Sequence, residues 1–143
     1  MYDELIKLTT EEKVLYAIAC AKLYCQKKKI AHASIDAWIE HLSTMLTTDS
    51  LPKWDDKIGY LDFPGSGDPL PSELANIISV SDQEEFNILT MHATEIGRCN
   101  LFVAPTDCPL KELIDVIEII KCNNIDLPDS STFKTGVPTH FSK

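Results

Sequence analysis

The chain has 143 residues, 44 % of them apolar and 24 % charged, and 22 acids against 13 bases give a formal charge of −9. A chain of this length buries about 68 % of its unfolded surface, enough for a core without disulfides or a structural metal, so default disorder is excluded. With a single arginine, Arg98, it also lacks the clustered cations that a general nucleic-acid binder needs for phosphate neutralisation.

The start, Met1-Tyr2-Asp3-Glu4, is acidic where a secretory signal is basic. The longest apolar run, Val14 to Ala21, is eight residues, against the about 20 that cross a bilayer. No membrane partner is expected. The five cysteines, Cys20, Cys25, Cys99, Cys108 and Cys122, leave one unpaired in any disulfide scheme and are too sparse for a stapled secreted domain. A reducing cytosol is the expected location.

In chain order, Thr9 with Glu12 forms a capping-box signature, followed by an apolar stripe through Val14, Leu15, Ile18 and Ala21 that ends near Lys27, Lys28 and Lys29. Ile35, Trp38, Ile39, Leu42, Met45 and Leu46 recur at helical spacing and predict an amphipathic helix over 33–47, paired with the first as a hairpin, with Trp38 in the core. Residues 49–71 hold Pro52, Pro64, Pro69 and Pro71 with Gly59, Gly65 and Gly67, and read as a long ordered loop without helix. Its Trp54, Tyr60, Leu61 and Phe63 supply anchors, and Ile58 to Phe63 is a candidate strand.

Ser72 to Ile78 reads as a short helix, and Ser81 with Glu84 predicts the capped start of another, with Phe86, Leu89, Ala93 and Ile96 inward and a stop near Gly97. Leu101 to Val103 is a second candidate strand. Asp107-Cys108-Pro109 starts a helix with Leu110, Leu113, Ile114, Ile117 and Ile120 inward, ending at Asn123-Asn124. Residues 124–143 read as a loosely packed tail. The expected fold is mainly α: a single-domain helical bundle of about five helices over 1–143, with the long loop and one or two short strands.

Charge is uneven. Residues 1–48 carry six acids and six bases, residues 49–98 ten against three, and residues 99–143 six against four. The acidic middle suits a face that steers a basic protein. Its competing explanation is helix capping, which accounts for Asp82, Glu84 and Glu85.

Metal and catalytic signals are weak. Cys20 and Cys25 are five apart, Cys99 and Cys108 span a helix boundary with no histidine between them, and no cofactor or metal is expected. His92 with Glu95 shares a helical face, and Cys108 precedes a helix start; these carry the alternative reading, a small helical enzyme. Gly65-Ser66-Gly67 lacks the lysine and setting of a phosphate loop.

The expected function is an acidic cytosolic protein-binding module without catalytic residues, which inhibits a basic partner by covering a basic or nucleic-acid-binding surface. The expected contacts are Asp55, Asp56, Tyr60, Asp62, Glu84, Glu85, His92 and Glu95. In size and acidity the chain is similar to bacterial immunity proteins, a likeness of composition alone; it implies a toxin, such as a nuclease, as the basic partner. A structural homodimer subunit is the third reading.

Overall fold

Helix α2 (Thr10–Lys28) begins where the sequence places it, because Thr9 and Glu12 satisfy each other's backbone donors. The Glu12 amide donates to Thr9 Oγ1 at 3.1 Å and the Thr9 amide to Glu12 Oε1 at 2.8 Å. At the other end Lys29 takes a left-handed conformation, φ 57°, and the next amide, of buried Ile30, returns to the Cys25 carbonyl at 2.8 Å. This closes the last carbonyls with an apolar lid.

The computed structural model describes residues 2–99 and 107–133. Around α2 stand α1 (Asp3–Ile6), α3 (Ala33–Ser43), α4 (Leu51–Ile58), α5 (Ser72–Ala75), α6 (Val80–Arg98) and α7 (Cys108–Cys122), with 3₁₀ turns at Thr44–Leu46 and Ser130–Phe133. The fold is mainly α, and among the described residues there is no strand. Leu101 to Val103 lies outside them.

Helix α3 is capped by an imidazole: the Ser34 amide donates to His32 Nδ1 at 3.0 Å. It is shorter than the expected 33–47, because Ser43 and Thr44 hydroxyls donate to the carbonyls three residues back, at 2.7 and 2.6 Å, where the coil tightens to 3₁₀.

The helix-free reading of 49–71 is corrected by α4. Pro52 sits in its first turn, where a missing N–H costs nothing, and Ser50 accepts from the Lys53 amide at 3.4 Å. Trp54 and Ile58, four residues apart, both turn inward. Ile58 therefore ends a helix instead of opening a strand, and turns at Gly59 to Leu61 follow. Beyond the helix, Phe63 is the residue of the expected strand that reaches the core.

The Ser81–Glu84 capping box is also absent. Helix α6 starts two residues earlier, with Ser79 as N-cap and Val80 first, and Gln83 Nε2 donates back to the Ala75 and Ile78 carbonyls, both at 3.0 Å, which ties α5 to it. Glu84 is left in solvent.

The three long helices α2, α6 and α7 pack on one another. Tyr16, Cys20 and Tyr24 meet Phe86, Leu89 and Ile96 of α6 and Leu113, Val116, Ile117 and Ile120 of α7 in the buried centre. Val116 takes an inner place on α7, and Leu110 and Ile114 are only half-buried. Trp38 of α3 is fully buried and donates through Nε1 to Thr94 Oγ1 at 2.9 Å. Gly97 lets α4 close on α6, since a Cβ there would lie 2.8 Å from both Met45 Sδ and Trp54 Cη2. Of the expected tail, the described part is tied back: Tyr16 donates to the Pro128 carbonyl at 2.8 Å and Phe133 stands edge-on to its ring at 5.3 Å.

The core carries an alkaline liability. Burial pushes Tyr16 and Cys20 up to about 12 and Cys25 up to about 11, and burial with the bond to Glu85 raises Tyr24 as well. Each group keeps its proton in the native state while the unfolded chain releases it, so the unfolded state binds fewer protons and stability falls as pH rises. The contribution is complete below the unfolded thiol and phenol values, about 8.5 and 10, and declines above them by about 1.4 kcal/mol per pH unit per ionising group. Buried Lys13, with its pKa lowered by desolvation, has the opposite slope and offsets one group. Denaturant melts under reducing conditions are expected to hold level to about pH 8 and lose several kcal/mol by about pH 10; a level profile to that pH contradicts the assignment.

Candidate functional site

Four of the eight expected contact residues are occupied inside the molecule. Arg98 Nε meets Asp55 Oδ1 at 2.6 Å and its Nη1 meets Glu95 Oε2 at 2.8 Å, so the single arginine holds two of these carboxylates. Glu85 Oε1 accepts from the Tyr24 hydroxyl at 2.9 Å and from Asn123 Nδ2 at 3.1 Å, joining α2, α6 and α7. His92 Nδ1 lies 2.6 Å from Glu112 Oε1. The expected His92–Glu95 pairing does not form, because each residue has turned to a different partner.

Asp55 was expected on the surface with Asp56. Trp54 and Ile58 fix the inward side of α4, which leaves Asp55 toward α6 and Asp56 toward solvent. Removing the guanidinium by Arg98→Ala is expected to cost about 1–2 kcal/mol, since it leaves the largely covered Asp55 carboxylate without its cation. A parallel loss in D55N, without additivity in the double variant, confirms the pair; additive losses contradict it.

The other four, Asp56, Tyr60, Asp62 and Glu84, are exposed. None of the three carboxylates has an ion pair among the described residues, and Tyr60 is 82 % exposed. Asp56 and Tyr60 are one helical turn apart at the end of α4, and Asp62 follows in the turn. The middle of α4 is anchored to α3: His41 stacks on Trp54 at 5.6 Å, His41 Nε2 lies 2.9 Å from the Trp54 carbonyl, and Trp54 Nε1 donates to the His41 carbonyl at 2.9 Å. Lys53 and Lys57 lie on the same helix and reduce its local surplus.

Two further acids of the middle third meet groups inside the molecule. The Ser79 hydroxyl and the Lys28 ammonium, at 2.8 and 3.2 Å, hold Asp82 below the usual carboxylate range. Glu73 faces His32 at 3.4 Å.

A second cluster joins the ends of α6 and α7. Cys99 and Cys108 form a disulfide with their Cα atoms 5.8 Å apart, where free thiols were expected, so in this state Cys108 carries no nucleophilic thiol. Glu112, one turn into α7, has a carboxylate oxygen within 4.8 Å of both sulfurs, and it shares a second grouping of the same tightness with His92 and Asp115. Sequence spacing missed this cluster because the histidine lies upstream of the cysteine pair. The only available signal was the helical register, His92 and Cys99 on one helix and Cys108, Glu112 and Asp115 on the next.

No helix among the described residues is long and apolar enough to cross a membrane. No protein-family model, curated protein or solved structure matches this chain.

Proposed function

We propose that the chain is an acidic protein-binding module that docks the end of α4 on a basic protein and inhibits it, as a bacterial immunity protein does a toxin, by covering a basic or nucleic-acid-binding surface. The observation that carries this reading is the 82 % exposed Tyr60 ring, flanked along the chain by Asp56 and Asp62, two exposed carboxylates with no ion pair among the described residues. An exposed tyrosine supplies contact area at low entropic cost, and the flanking charges select a basic partner and speed encounter. Glu84 extends the negative field along α6. No catalytic residue takes part, and action in a reducing cytosol belongs to the same proposal.

A photo-crosslinking phenylalanine analogue placed at position 60, and separately at exposed position 22 on α2, tests this in extract of the native cells. The expected result is one basic protein joined at position 60 and absent at 22. Equal capture at both positions, or capture of acidic chains, contradicts the proposal.

One observation favours the homodimer as a second reading. Val80, 86 % exposed at the start of α6, Ile77 in the turn before it and Ile88 on the same helix are apolar side chains left open to solvent. Sedimentation showing a dimer that Val80→Glu dissolves supports it.

A further inference from the structure

We propose that the Cys99–Cys108 pair is the closed form of a zinc site, and that the reduced protein binds one Zn²⁺ through Cys99, Cys108 and Glu112. Three features converge at this place. The α6–α7 pairing brings two sulfurs together from opposite helix ends, and Glu112 aims a carboxylate oxygen to within 4.8 Å of both. Cys99, Cys108 and Glu112 are all half-buried, so the donors are sheltered yet reachable. His92 Nδ1 lies 2.6 Å from Glu112 Oε1, with Asp115 Oδ2 3.7 Å from the same nitrogen.

That arrangement matches the chemistry of zinc. Two thiolates and a carboxylate form a set that zinc accepts, with a fourth tetrahedral position for water, and a ligating carboxylate is itself held by an outer hydrogen bond, which His92 supplies here. His92 is accordingly a positioning residue. The cations nearby do not compete: Arg98 is turned to Asp55 and Glu95, and Lys111 to Asp107 at 3.7 Å.

The disulfide sets when the site exists. Two equivalents of a small-molecule thiol donate two electrons to the Cys99–Cys108 bond; it breaks to two protein thiols, and the small thiols leave joined as their own disulfide. Zn²⁺ then displaces the two thiol protons to solvent and forms two Zn–S bonds. Oxidation removes both thiolates and leaves His92, Glu112 and Asp115, a set without the two anionic sulfur donors and so a weaker competitor against a chelator.

The test uses the full chain, reduced by a phosphine or left oxidised, titrated with Zn²⁺ against a chromophoric chelator and with Co²⁺ as the spectroscopic probe. Reduced protein is expected to bind one equivalent with a Kd below about 1 µM. Its cobalt form is expected to show tetrahedral absorption and sulfur charge transfer for two thiolates, and oxidised protein is expected to bind at least about 100-fold more weakly. A variant with Cys20, Cys25 and Cys122 all changed to serine is expected to retain the site. E112Q is expected to weaken it by about 30-fold and H92Q by about 10-fold, with two-thiolate charge transfer retained in H92Q.

Comparing the two redox states of the unaltered protein needs no substitution, so a folding defect in C99S or C108S leaves the test intact. No zinc bound by the reduced protein overturns the proposal. So does equal binding in both redox states, or binding that survives E112Q and H92Q unchanged.

Discussion

Gly65→Ala is expected to lower the unfolding free energy by about 3–5 kcal/mol, a large part of the 5–15 that a domain of this size has. The glycine has φ +61°, and a Cβ built on it would lie 2.4 Å from Trp38 Nε1 and 2.8 Å from Thr94 Oγ1. A side chain in the left-handed region costs about 1–2 kcal/mol, and overpacking a closed site adds about 1–3. The contact cannot relax by turning a flexible side chain away. Trp38 is fully buried, edge-on to Phe63 at 5.7 Å, and its indole N–H is bonded to Thr94, so moving the ring breaks a buried hydrogen bond. Chemical denaturation is the check, and a loss below about 1 kcal/mol contradicts this account of the loop.

The second large effect is on binding. The triple variant D56N/Y60A/D62N is expected to keep wild-type stability within about 0.5 kcal/mol, because none of these side chains is buried or has an ion pair among the described residues. Its affinity for the protein captured at position 60 is expected to fall by more than about 100-fold. Loss of the Tyr60 ring acts mainly on dissociation, by about 2 kcal/mol for a central aromatic anchor, and loss of the two carboxylates acts mainly on association. Neutralising Asp55 and Glu95 instead is expected to disturb stability and leave binding nearly intact, since Arg98 already screens them. The opposite ranking places the partner elsewhere.

The long helices were legible because their signals are local. Thr9 with Glu12, the stripe from Ile35 to Leu42 and the Pro109 start of α7 each fix a helix through neighbours within one turn. Helix α4 was not, because Pro52 forbids a helix interior but suits a first turn, and only Ser50 ahead of it distinguishes the two. For the candidate site, sequence gave the acidity of the middle third but not its allocation. Arg98 lies 43 positions from Asp55, and Tyr24 lies 61 from Glu85, so the pairings that remove half the expected contacts are set by helix packing. Of the expected contacts, Asp56 and Asp62 beside Tyr60, with Glu84 on α6, remain as open charge. The Cys99–Cys108–Glu112 grouping was hidden for the same reason.

The central claim is that one edge, rather than the overall charge of −9, meets the partner. The most direct measurement is the association rate constant with the captured partner at about 20 mM and about 300 mM salt, where screening removes long-range steering. It compares wild type, D56N/D62N and the charge-matched control D3N/D126N, both of whose positions are exposed and remote in sequence from α4. The account predicts that D56N/D62N is slowed several-fold at low salt and converges on wild type at high salt, with the control close to wild type throughout. Equal slowing of both double variants, or slowing of neither, contradicts it.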